Sequence, residues 1–337
     1  MPISVSVASR SGLSARAVGE LALAAEHRAM DAFFVAESAA DSLVLCQAAL
    51  AATTSITVGT AVANARLRHP GAAAMATAAL DEWSGGRFRI GLGVSNSNFN
   101  ERVLGMDPVR PLPFIRDYVA TMRRVLGEAV PGASAPLVLD RPPVRSHTPI
   151  VLAALLPRML QLAGEVADGV VLSLTTPASL PAALQEIAVG LARVGRERAD
   201  ITVACVLPCC FDGDDAARRA GRGVVTGYAR HPAAAALFEA SGHGEQLRRI
   251  ASALDRGEPE VANQLVDERM VDDFVLRGDP DRCAERVASY LDAGIDMPIL
   301  FPTPGGGDWD GSVRRTIDIA PGLLPAASSS TNRRVPT

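Results

Sequence analysis

Eight short runs of β-branched and aliphatic residues recur along the chain, each followed by a helical pattern. This alternation constrains the fold more than any other feature. The runs fall at 3–8 (ISVSVA), 32–37 (AFFVAE), 56–63 (ITVGTAVA), 88–94 (FRIGLGV), 149–155, 169–175, 201–211 and 297–302 (MPILFP). Most are continuously apolar rather than alternating, the pattern of parallel strands covered on both faces. Eight βα units predict a (β/α)8 TIM barrel; a doubly wound sheet, which usually needs fewer strands, is the alternative.

Two segments break the period. Residues 127–148 are rich in Pro and Gly and read as a connection before the fifth strand. Residues 212–293 are too long for one crossover helix and read as a helical insertion between strands seven and eight. The expectation is a single domain over 1–327, followed by a loose polar tail at 328–337.

Composition removes several functions. With 337 residues and 48% hydrophobic content the chain can bury a large core. A net charge of −4 gives no basic surface for nucleic acid or an anionic membrane. All 33 basic residues are arginine, which excludes a Schiff-base or Walker-A lysine. The five cysteines form no CxxC pair and read as buried free thiols. Without a signal pattern or an apolar run of ~20 residues, a cytoplasmic protein is expected.

In a barrel the chemistry gathers at the C-terminal ends of the strands. Those ends offer Ala8 to Arg10, Glu37 and Ser38, Ala61 to Asn64, Gly93 to Asn100, Ala153 to Pro157, Ser173 to Thr176 and the Pro302 region. Small and amide residues dominate, which suits a cofactor held by backbone amides. A glycosidase-type hydrolase would need a second carboxylate near Glu37. Gly91 and Gly93 look like half of a dinucleotide fingerprint, but Asn96 replaces the third glycine, and a strand that turns sharply is the preferred reading. Asn98 and Asn100 are candidate ligand contacts in the next loop. Pro157 opens a helix, so the free amides of Leu155 and Leu156 would form a phosphate site, with Ala153 and Ala154 allowing close approach. His69, before Pro70, is either a loop-bonding histidine or a proton-transfer group. Arg66 and Arg68 either steer an anionic ligand or lie in solvent.

With these residues placed, a resemblance becomes specific. ITVGTAVANARLRHPGAAAMATAALDEWSGGRFRIGLGVSN is similar to the signature block of the luciferase-like monooxygenase superfamily, which includes bacterial luciferase and the coenzyme F420-dependent oxidoreductases. PIVLAALLPRMLQLAGEVADGVVLS resembles its later phosphate-binding unit, and GDPDRCAERVASYLDAGIDMPILFP its last barrel unit. The similarity covers most of residues 1–302 and looks closest to the F420-dependent, methylenetetrahydromethanopterin reductase-like branch.

The resemblance implies a barrel that binds F420, or alternatively FMN, at its C-terminal face, acts on a small organic substrate, and forms a homodimer. It implies a non-prolyl cis peptide at Ala61–Val62, behind the cofactor ring. The implied cofactor contacts are Glu37, Ala61, Val62, Asn64, Gly93, Val94, Ser95, Asn100, Ala153, Ala154, Leu155, Leu156 and Pro157. Ser38 departs from the pattern, because relatives with oxygen or alcohol chemistry carry a histidine there. That departure counts equally against both chemistries, while the AES step at 36–38, AALLPRMLQLAGEVADG and AGIDMPILFP look closest to the F420-dependent branch. Hydride transfer with F420 is expected, with Glu37 as first choice of proton donor through a burial-raised pKa and His69 as second. An FMNH2-dependent monooxygenase and a cofactor-free scaffold barrel are the alternatives.

Overall fold

The computed structural model describes residues 2–95, 98–128, 137–231 and 233–324, and among these eight parallel strands close into a TIM barrel. They are β1 (Ser4–Ala8), β2 (Ala32–Ala36), β3 (Thr57–Thr60), β4 (Phe88–Gly93), β5 (Ile150–Ala153), β6 (Gly169–Leu172), β7 (Thr202–Cys210) and β8 (Met297–Pro302). Each pairs with the next, and β8 pairs with both β7 and β1, which closes the ring. All eight coincide with the expected runs, several of them ending earlier. The expected tail at 328–337 lies outside the described residues.

The helices between strands are α1 (Ala15–His27), α2 (Ser42–Ala52), α3 (Pro70–Ser84), α4 (Pro111–Val125), α5 (Pro157–Val166) and α6 (Leu180–Arg193). Their starts obey local chemistry. Ser14 Oγ accepts the Ala17 N–H before α1, and Asp41 Oδ1 accepts those of Leu43 and Val44 before α2. Between β7 and β8 lie α7 (Asp214–Tyr228), α8 (Ala234–Ala240), α9 (Gly244–Asp255), α10 (Pro259–Leu265), α11 (Glu268–Phe274) and α12 (Pro280–Asp292); α13 (Trp309–Ile319) follows β8. The helices α7 to α11 gather a separate core around Phe238, Ile250, Met270 and Phe274, whose Phe238 and Phe274 rings stack at 4.3 Å. α12 instead packs Val287 and Tyr290 into the main barrel core.

Alternation along each strand divides two layers of side chains. Phe33 and Val35 face the helices, while Ala32, Phe34, Ala61, Val171, Ala204 and Ile299 fill the barrel. Following that alternation along the paired strands, the inward positions nearest the C-terminal mouth are Ala8, Ala36, Ala61, Gly93 and Ala153. At these five positions no side chain exceeds a methyl group, while Val171, paired with Ala153, brings a larger one from β6.

The third strand departs from the expected 56–63 run. It ends at Thr60, and pairing resumes only at Ala63 and Asn64. Gly59 faces Arg89, but Ala63, four residues on, faces Leu92, only three on, so β3 carries one extra residue. Inside this bulge the Ala61–Val62 peptide is cis. Thr60 mends the interrupted ladder: its Oγ1 donates to the Gly91 carbonyl at 2.6 Å and accepts the Gly91 N–H at 2.9 Å.

Candidate active site

The two glycines that resembled a fingerprint are explained by this bulge. A Cβ on Gly91 would lie 2.1 Å from the Thr60 carbonyl oxygen, and one on Gly93 would meet Val62 Cγ2 at 2.9 Å. They let β4 run against a strand that swells toward it. The sharp-turn reading of GLG is replaced by close packing between strands.

Glu37 follows β2 and ties the bulge down. Its backbone N–H donates to the Val62 carbonyl at 3.1 Å. Its carboxylate, only 1% exposed, accepts from the Arg68 guanidinium through both oxygens. Oε1 also accepts the Ser42 N–H and hydroxyl at 3.0 Å each, and Oε2 accepts the Asn64 N–H at 2.8 Å. Burial alone would raise the Glu37 pKa. The hydrogen bonds from Arg68, Ser42 and Asn64 outweigh it and hold the carboxyl below the usual carboxylate range. Glu37 is therefore an anion at neutral pH, which corrects the expectation of a burial-raised acid. Burial without partners raises a carboxyl; burial among donors does the reverse.

Arg68 also reaches Asp41 at 2.8 Å, so the cluster holds two carboxylates and one guanidinium. Arg68 is thus neither solvated nor free to steer a ligand, and Arg66 likewise spends its guanidinium on the Asp107 carbonyl and the Phe114 ring. A cleft of about 330 Å³ opens beside the cluster, lined by the 37–41 segment with Leu67 and Arg68. Ser9 shapes that segment: its Oγ accepts the N–H groups of Ser38 and Ala40 at 2.7 and 3.2 Å.

Asn64 and Asn100 are both buried and bond to each other, Nδ2 of Asn64 donating to Oδ1 of Asn100 at 2.9 Å. Asn100 in turn donates to the Val94 carbonyl at 2.7 Å. It lies on a π-helical turn, Asn98–Val103, that brings the loop after β4 against the bulge. The side chain of Asn98 lies outside the described residues. Ser95 is exposed and takes a left-handed conformation, φ 56°, at the rim. His69 is exposed and caps α3, its Nδ1 accepting the Gly71 N–H at 3.1 Å. That is the loop-bonding use of this histidine, and the structure gives it no link to Glu37.

Across the mouth, α5 starts at Pro157 without a side-chain cap. The Ala154 N–H is already bonded to the Val171 carbonyl at 3.2 Å, which leaves Leu155 and Leu156 as the amide-bearing positions at the helix start. Sequence reasoning missed Asp41, Ser42 and Thr60. Asp41 carried a helix-cap signal; the roles of Ser42 and Thr60 depend on contacts with β2 and β4 that no local pattern reveals.

A closed parallel barrel with a bulged third strand and a mouth of alanines and glycines is the scaffold of flavin- and deazaflavin-type oxidoreductases. The chain belongs to the luciferase-like monooxygenase family, whose model matches residues 1–297. It is 27% identical over 272 residues to the 5,10-methylenetetrahydromethanopterin reductase of Methanolobus tindarius, covering 78% of this chain and 82% of that one. The coenzyme F420-dependent tetrahydromethanopterin reductase from Methanopyrus kandleri shares the structure with a TM-score of 0.81 at 25% identity, over 96% of this chain and 100% of that one. The oxygenating constituent of 3,6-diketocamphane monooxygenase of Pseudomonas putida, in complex with FMN, shares the fold at a TM-score of 0.64 and 18% identity, over 95% and 96% of the two chains.

Proposed function

We propose that this protein transfers hydride between coenzyme F420 and a small organic substrate. The observation that carries the reading is the bulge at Ala61–Val62, where β3 carries one extra residue beside the small inward positions Ala36, Gly93 and Ala153 and offers a flat ring a shelf. When bound, the deazaflavin supplies or accepts the hydride. The chain contributes position and dryness. Ala61 and Val62 back the ring, and Gly93, Val94, Ser95 and Asn100 border it from β4. The amides of Leu155 and Leu156, at the positive end of α5, hold the phosphate, with Ala153, Ala154 and Pro157 leaving room.

Glu37 acts here as a positioning residue. Being ionised, it fixes Arg68 and the Asn64 backbone, and does not give up a proton. The likeness to the coenzyme F420-dependent reductase from Methanopyrus kandleri, at 25% identity, favours F420 over FMN. Titration of the purified protein with F420 and with FMN, followed by fluorescence quenching, tests this. F420 is expected to bind in the micromolar range with FMN weaker by at least about tenfold; tight FMN binding with no response to F420 would turn the assignment to an FMN-dependent monooxygenase.

The reading extends to a cytoplasmic homodimer. Val44 on α2, with Met75 and Trp83 on α3, is 50–57% exposed, an apolar outer face on two neighbouring helices. Light scattering is expected to give twice the 35.2 kDa chain mass. A monomeric mass at micromolar concentration would remove the dimer from the proposal. No helix among the described residues is long and apolar enough to cross a membrane.

A further inference from the structure

The helices α9 and α10 bury Leu247, Ile250, Ala253 and Ala262 in the insertion core. Other faces of the same two helices line a groove of about 520 Å³, within the size of small-molecule sites. Along α9 the groove is lined by Glu245, Arg248, Arg249, Ser252 and Arg256, whose three- and four-residue spacings put them on one face. Val261 and Leu265, four residues apart on α10, supply its apolar floor. Val261 is 41% exposed, so no part of the chain covers that floor. Gln246 Nε2 donates to the Leu265 carbonyl and ties the two helices together beside the groove.

Three guanidinium groups against one carboxylate line the groove, on a chain whose net charge is −4. Arg248 pairs with Glu239 at 3.0 Å and Arg256 with Glu258 at 2.7 Å, but neither of those carboxylates lines the groove. All four side chains are at least 42% exposed, and ion pairs that wet are weak enough to give way to a ligand. Arg256 also donates to Ser252 Oγ at 2.9 Å, which holds it along the groove. Arg249 reaches only Gln246 Oε1, at 3.2 Å, and has no carboxylate partner among the described residues.

We propose that this groove binds a small amphipathic anion, an aliphatic chain ending in a carboxylate. The chain lies on Val261 and Leu265 and along the methylene stems of the arginines. The carboxylate meets the Arg249 fork, whose paired N–H groups match its two oxygens. A bare inorganic anion would leave the apolar floor in water, and a neutral chain would leave Arg249 without an anion. Only a molecule with both parts uses the whole groove. The site lies on the insertion rather than at the barrel mouth, so it does not depend on the F420 reading.

Isothermal titration calorimetry of the full chain with octanoate, 1-octanol and acetate tests the site. Octanoate is expected to bind with a Kd of about 1 mM or tighter, and the other two at least about tenfold more weakly. Arg249→Gln is expected to weaken octanoate binding about fivefold or more, and Val261→Asp, which puts a carboxylate where the chain lies, about tenfold or more. Both side chains are exposed, so the unfolding midpoints of R249Q and V261D are expected within about 2 °C of wild type. Octanoate binding that is absent in the wild type, or equal in the wild type and both variants, overturns the proposal. Acetate binding as tightly as octanoate would show that the floor is unused, and 1-octanol doing so that the arginines are; either overturns it. A lower mass for V261D than for wild type in light scattering, with no octanoate binding by the wild type, makes the groove a contact between copies of the chain and also overturns it.

Discussion

Replacing Glu37 with alanine is expected to lower the unfolding free energy by about 4 kcal/mol in urea titrations at pH 7. The change leaves the Arg68 guanidinium with Asp41 alone and strands the N–H groups of Ser42 and Asn64. Removing one partner of a buried pair costs more than the pair contributes, because the remaining charge stays buried. Glu37→Gln keeps the shape and some of the bonds, so roughly half that loss is expected. The pH dependence has a definite sign. The Glu37 pKa is lower in the folded chain than the ordinary 4.5, so its contribution is complete above that value and is lost as the pH falls through the folded pKa. E37Q should flatten that acid limb. A loss under about 1 kcal/mol for E37A would mean that Glu37 does not hold the bulge.

Adding one methyl group at Gly91 is expected to be at least as damaging per atom. The new Cβ would sit 2.1 Å from the Thr60 carbonyl oxygen and 3.1 Å from Val62 Cγ1, and the first of these is backbone that cannot swing away. Overpacking of this kind costs about 3 kcal/mol, more where backbone must move, and here it would also displace the Thr60 bonds that mend the ladder. Gly223 in α7 supplies the control, since a Cβ there meets nothing within 4 Å. G223A is expected to be neutral or to stabilise by up to about 1 kcal/mol, because a helical glycine is entropically costly. Equal denaturation midpoints for G91A and G223A would refute the close packing of β3 and β4.

The barrel was legible in the sequence because parallel strands buried on both faces leave continuous apolar runs, and eight such runs separated by helices admit few architectures. The bulge was legible only by resemblance. Nothing in GTAV by itself says that Ala63 slips one residue against Leu92. Glu37 was found and its state misjudged, since burial could be guessed from its strand but its donors come from α2, from Asn64 and from Arg68, 31 residues on. Arg68 was half read, as a charge without its partners.

The seat of the ring is the central assignment, and a crystal structure of the protein grown with F420 tests it most directly. The deazaflavin is expected against Ala61–Val62, with its phosphate at the Leu155 and Leu156 amides. A ring bound elsewhere, or the same crystals with the β3 shelf filled by protein side chains, would contradict it.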